Sequence, residues 1–160
     1  MVNYKLIAEL EVAASADDVW EVIGAKNAPE FFKNSLPGVF EKLEVLEGDG
    51  GVGTVLLIEY PDGLSNKERF VTVDHHRRLK EILQTEGGYL GMGVTYYMET
   101  FKVIECANSC IIQSIVEYKA SEEVAAEVSN LISVEGLLNM AKIVAKHVLN
   151  KEKAPSTGAA

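Results

Sequence analysis

From Val39 to Tyr118 the sequence offers only short strand-like runs, cut at close intervals by the turn chemistry of GDGG, PDG, DHHR, GGYLG and CANS. That pattern restricts the fold more than any other feature. Six strands are predicted there, over about 39–46, 53–60, 65–74, 78–86, 93–105 and 109–118, and loops this short join antiparallel neighbours. A seventh strand precedes them. In NYKLIAELEV, Tyr4, Leu6, Ala8 and Leu10 share one face, the alternation of a half-buried strand.

Helical signals lie on either side of this run. SADDVWEVIG opens with Ser15 as an N-cap and acids in the first turn, and Trp20 reads as a core anchor. APEFFKNS predicts a second short helix, stopped by Pro37–Gly38. Residues 122–150 repeat apolar side chains at helical spacing, from Val124 and Val128 through Leu137, Ala141 and Val144 to Val148, with a kink or interruption expected at Gly136. The fold class predicted is α+β: a curved seven-stranded antiparallel sheet gripping a long C-terminal helix, with two short helices after the first strand. One helix cannot fill so large a concave face, so an internal cavity follows. Residues 1–150 form one domain in this reading, and 151–160, KEKAPSTGAA, a flexible tail.

Charge narrows the function classes. The 160 residues carry a formal net charge of −9, a surface that repels phosphate backbones and anionic lipid. Nucleic-acid and membrane roles are not expected. GDGGVGT, Gly48–Thr54, satisfies G-x-G-x-x-G, but strand-like residues follow it, so no helix N-terminus is there to hold a phosphate. It reads as a hairpin loop. Lys5, Glu9 and Glu11 interrupt the first apolar segment, which is not expected to act as a signal peptide, and a cytoplasmic location is expected. Cys106 and Cys110 flank a turn and read as two small hydrophobes. His75 and His76 lie in a turn where exposure is expected, His147 late in the last helix, and no spacing argues for a metal.

The stretches LPGVFEKLEVLEGDGGVGT, KERFVTVDHHRRLKE and EGGYLGMGVTYYMET resemble the plant pathogenesis-related class-ten family, the family of the major birch-pollen allergen, and within it the norcoclaurine-synthase branch. The likeness extends from ELEVAASADDVW to the C-terminal helix. It implies a Pictet–Spengler condensation of an arylethylamine such as dopamine with an aldehyde such as 4-hydroxyphenylacetaldehyde, without metal or organic cofactor. The implied partners are a small aromatic amine and an aldehyde, or an alkaloid ligand, bound by a monomer or weak homodimer. The branch places a Tyr, a Glu, a Lys and an Asp in an apolar cavity. Its Tyr-Lys-Glu segment reads Asn66-Lys67-Glu68 here, its Lys matches Lys80 in RLK, and its Asp after YYM is Glu99.

Strand parity gives an independent view of those positions. Asn66, Glu68 and Phe70 share one face of their strand, and Glu99 shares a face with Tyr97, Phe101 and Val103. The fifth strand is ambiguous: Lys80 aligns with Ile82 and Gln84, while Leu79 and Leu83 lie opposite. The chemistry suits the types. A desolvated Lys80 can deliver a proton to the departing carbinolamine oxygen, Glu68 can take the ring proton, and Glu99 can hold the lysine or the amine. Asn66, Phe70, Tyr97, Tyr89 and Met92 are the substrate-binding candidates, with the Tyr97 hydroxyl a substitute for the tyrosine absent at 66. Other readings stay open: solvated strand charges at all three positions, a hormone or alkaloid carrier without turnover, or a defence protein with incidental binding.

Overall fold

The computed structural model describes residues 1–153. Strand β1, Val2–Val12, keeps the expected alternation, with Tyr4, Leu6, Ala8 and Leu10 half-buried between exposed Asn3, Lys5, Ile7 and Glu9. Helices α1, Ala16–Ile23, and α2, Ala28–Ser35, follow. The Ser15 hydroxyl accepts the Asp18 N–H and so satisfies one of the free donors at the start of α1. Six more strands then run in order: β2 Lys42–Glu47, β3 Val55–Glu59, β4 Ser65–Asp74, β5 Leu79–Gly87, β6 Tyr96–Glu105 and β7 Cys110–Ala120. They form one seven-stranded sheet, ordered β1-β7-β6-β5-β4-β3-β2 and antiparallel at every pairing. Consecutive strands β1 and β2 therefore lie at opposite edges, and α1 and α2 lie between them in sequence.

Two differences from the expected elements shape the interior. GGYLG is not loop but one turn of 3₁₀ helix, Gly88–Met92, held because the Gln84 side-chain oxygen accepts the N–H groups of Tyr89 and Leu90. The helix expected over 122–150 is two: α3, Glu122–Val128, and α4, Glu135–Lys153. Gly136 sits in the first turn of α4 and does not interrupt it. The break falls at 129–134, where Ser133 accepts the Glu135 N–H and Ile132, 4% exposed, turns into the core. Serine side chains compete with helical backbone bonds, and burying Ile132 compensates for the interruption. Residues 151–153, assigned above to the tail, continue α4, and 154–160 lie outside the described residues.

Apolar packing divides into two groups. The larger joins Trp20, Phe32, Phe101, Ile112 and the α4 residues Leu137, Ala141, Val144 and Val148. The smaller joins Leu56, Ile58, Phe70 and Ile82 on β3–β5. Residues of both groups line a common hollow, because α4 covers only part of the concave sheet. No helix of the described residues is long and apolar enough to cross a membrane.

Candidate active site

The interior hollow has two compartments. The outer one, about 310 Å³, is lined by Tyr60, Asn66, Gln84, Tyr89, Met92 and Tyr97, with Leu64 and Leu131 among its lining residues. The inner one, about 510 Å³ and mainly apolar, is walled by Phe32, Leu56, Ile58, Ile82, Leu137 and Met140. Tyr60, Glu68 and Glu99 line both, so the two carboxylates stand where the compartments meet. A separate groove between α1, α2 and the far end of α4 contains none of the residues predicted for the site.

Two strand irregularities set these directions. The β4–β5 register shifts between Lys67 and Glu68 and again between Phe70 and Thr72. Asn66 and Phe70 keep the inward face, 6% and 2% exposed. On β5 the ambiguity resolves in favour of the polar residue: Lys80, Ile82 and Gln84 are buried while Leu79 and Leu83 are half-buried opposite. The reason is local chemistry. Lys80 Nζ donates to the Ile23 carbonyl at 3.0 Å and lies 4.2 Å from the centre of the Phe70 ring. A carbonyl at a helix C-terminus and an aromatic face are both suited to a cation.

Glu68, Glu99, Asn66, Tyr89, Met92 and Tyr97 thus share the cavity wall. Lys80 and Phe70 are buried behind it and line neither compartment. Burial lowers the Lys80 amine to about 8, with the Glu68 charge acting in the opposite direction. Burial likewise raises Glu68, reinforced by Glu99 and relieved in part by Lys80. Glu99 is raised by burial and drawn back by the Tyr97 hydroxyl, which donates to Oε2 at 3.4 Å. The Tyr97 hydroxyl is therefore already engaged, contrary to its expected availability in place of the missing tyrosine. Glu68 and Glu99 reach the same two compartments from β4 and β6, and two desolvated carboxylates that feel each other's charge can both accept and return a proton near neutral pH.

Three contributors were not foreseen. Tyr60, the residue after β3, lines both compartments with Glu68 and Glu99, and it is raised by burial and then by their charges. Its pattern, a tyrosine before PDG, looked like a turn boundary. Gln84 fixes the 3₁₀ turn that carries Tyr89 and Met92, and its inward parity was the available signal. His75 is exposed, as expected of a turn, yet its Nδ1 accepts the Trp20 indole N–H at 3.0 Å. Nothing in the local sequence announces that pairing. Among the described residues no group of three or more His, Cys, Asp or Glu side chains is placed to hold a metal, and Cys106 and Cys110 are free thiols.

GDGGVGT forms the β2–β3 hairpin loop. Its backbone donors are turned to internal partners: Gly50 N–H to the Thr54 hydroxyl and Gly51 N–H to Asp49. Gly50, at φ 102°, is pressed against the Lys26 carbonyl so closely that a Cβ would overlap it.

Known proteins resemble this chain in sequence and fold. S-norcoclaurine synthase 2 of Papaver somniferum is 44% identical over 156 residues, 94% of this chain and 68% of the relative. Norbelladine synthase of Narcissus pseudonarcissus is 40% identical, with 90% of this chain and 91% of the relative covered. The X-ray structure of norcoclaurine synthase from Thalictrum flavum in complex with dopamine and hydroxybenzaldehyde superposes with a TM-score of 0.89 at 44% identity, covering 93% and 88% of the two chains. Residues 1–151 match the pathogenesis-related protein Bet v 1 family, and the chain belongs to that family.

Proposed function

We propose that this protein is a cofactor-independent synthase of alkaloid biosynthesis that joins an arylethylamine to an aldehyde by a Pictet–Spengler condensation. The observation that carries the reading is the Glu68–Glu99 pair at the junction of a polar outer and an apolar inner compartment. A passive apolar carrier gains nothing from desolvating two carboxylates and a lysine. A relative of the same fold, 44% identical, holds dopamine and hydroxybenzaldehyde together.

In this reading the ammonium of the amine is drawn to the carboxylates and its ring to the apolar walls. The ammonium yields a proton to Glu99, and the free amine adds to the aldehyde, giving a carbinolamine. Lys80 Nζ leaves the Ile23 carbonyl on its flexible stem and protonates the carbinolamine oxygen, which departs as water to leave an iminium. The electron-rich ring attacks the iminium carbon, and Glu68 removes the ring proton to restore aromaticity. Glu99, steadied by Tyr97, holds the nitrogen. The acidic chain acts as a cytoplasmic monomer or weak homodimer.

The carrier reading keeps two specific supports: Asn66 stands in the wall without a phenol, and Lys80 rests outside the cavity. Incubating the purified protein with a panel of arylethylamines and aldehydes, followed by chiral chromatography, separates the two. One enantiomer in excess supports a synthase. Racemic product at the buffer rate with every pair supports a carrier.

A further inference from the structure

The β4–β5 hairpin touches helix α1 at three places. Arg78 donates through Nε and Nη2 to Asp17 in the first turn, at 3.0 and 2.7 Å. His75 Nδ1 accepts from Trp20 Nε1 at 3.0 Å, with the rings edge to face at 5.7 Å. Lys80 Nζ donates to the Ile23 carbonyl in the last turn. The second and third contacts meet in one peptide unit. The Ile23–Gly24 peptide presents its oxygen to Lys80, while its N–H donates to the Trp20 carbonyl at 2.8 Å. The Trp20 indole lies so close to Gly24 that a Cβ there would overlap the ring. The indole therefore packs against Gly24, next to that peptide, and its only N–H is engaged by His75.

We propose that His75 is a positioning residue for Lys80, acting through the Trp20 indole and the Ile23–Gly24 peptide. The proposal rests on the reading of Lys80 as the proton donor above. The indole N–H can only donate, so His75 must present an unprotonated Nδ1 and carry any neutral-state proton on Nε2. With that contact in place the Ile23 carbonyl stays aimed at Nζ, and the ammonium is kept charged and parked beside the cavity in the absence of substrate. Without it the indole is free to turn off Gly24, the peptide plane can rotate, and Lys80 loses its one hydrogen-bond acceptor among the described residues.

The groups that face Lys80 make the consequence readable. Glu68 of β4 is the charged side chain acting on it. Its cross-strand neighbours are Val73 on β4 and Phe101 on β6, which carry no charge. Loss of the carbonyl removes a hydrogen bond that is stronger to the ammonium than to the neutral amine, so the amine should titrate lower still. With Nδ1 accepting the indole N–H, His75 brings no charge to Lys80, so its replacement acts only through the lost contact.

The test uses the full chain labelled with 15N and 13C at lysine and tryptophan. The sequence holds one Trp, so a single indole N–H resonance reports the His75 contact, and the Lys80 side-chain signal is assigned by its loss in Lys80→Met. In His75→Phe the indole signal should move toward that of a free indole and the Lys80 midpoint should fall by about one unit. His75→Gln, which keeps an acceptor, should restore part of the shift, and the alkaline limb of kcat should follow the midpoint in each variant. A displaced indole signal with an unmoved Lys80 midpoint in His75→Phe, together with an unmoved Lys80 midpoint in Trp20→Phe, overturns the proposal. A midpoint that falls while kcat does not respond leaves the positioning standing and refutes Lys80 as the proton donor.

Discussion

The Lys80 ammonium lies 4.2 Å from the centre of the Phe70 ring, on a strand pair that also carries Glu68 toward the cavity. A lysine between an aromatic face and a helix-terminal carbonyl keeps its proton while losing its water. That combination makes it a stronger acid than a solvated lysine without making it neutral, and burial brings it to about 8.

The pH–rate profile should therefore be narrow. Glu68 and Glu99 are raised by desolvation, so the base appears only as pH rises well above the ordinary carboxylate value of about 4.3. Lys80 is lowered, so the acid is lost as pH passes about 8. A rate maximum between these limbs is expected. A plateau extending from pH 5 to 10 would show that neither group takes part.

Glu68→Gln should slow substrates that need ring deprotonation, with iminium still trapped by borohydride. It should also raise stability, by about 1–3 kcal/mol at pH 8 and little at pH 4. The sign follows from the raised carboxyl: its folded form favours the proton, a contribution present below the unfolded value and lost as pH rises through the folded one. Denaturant melts at the two pH values measure the difference.

Tyr60→Phe and Asn66→Tyr examine the phenols of the outer compartment. Tyr60 is half-buried in the wall it shares with both carboxylates, so its removal should reduce kcat/KM by about tenfold, as for the loss of one hydrogen bond to the substrate. Asn66→Tyr adds a fourth phenol to the wall, beside Tyr60, Tyr89 and Tyr97, and should raise condensation of dopamine with 4-hydroxyphenylacetaldehyde. Steady-state rates with that pair decide both, and unchanged rates in the two variants would place the phenols outside the reaction.

The glycine-rich hairpin should not bind nucleotide, since its N–H groups already serve Thr54 and Asp49 and its acid pairs with Lys26. Calorimetric titration with ATP should give no heat, against which micromolar affinity would stand. Gly50→Ala should destabilise the fold by more than about 1 kcal/mol, because φ is positive and the Lys26 carbonyl fills the space a methyl needs.

Alternation made much of this legible beforehand. Tyr4 to Leu10 on β1 and Asn66 to Phe70 on β4 face as their parity predicts, and the pairing of short strands gave the sheet. Lys80 was harder, because a charged residue aligned with Ile82 looks wrong until its acceptor appears, and Ile23 lies 57 residues away. The same distance problem hid His75, whose partner Trp20 is 55 residues earlier. The division of α3 from α4 was missed because Leu131 and Ile132 continue the helical spacing through the break. Leu131 is 57% exposed there and its carbonyl accepts the Tyr89 hydroxyl at 3.4 Å, a contact of the loop and not of a helix face.

The most direct measurement is turnover by Lys80→Ala, compared with its affinity for dopamine or a product analogue. Turnover should fall by a factor of about 10²–10⁴, as for a lost general acid. Ligand affinity should change little, because the apolar walls supply most of it and Lys80 lines neither compartment. Parental turnover in Lys80→Ala, with every amine and aldehyde the protein accepts, would contradict the synthase mechanism proposed here.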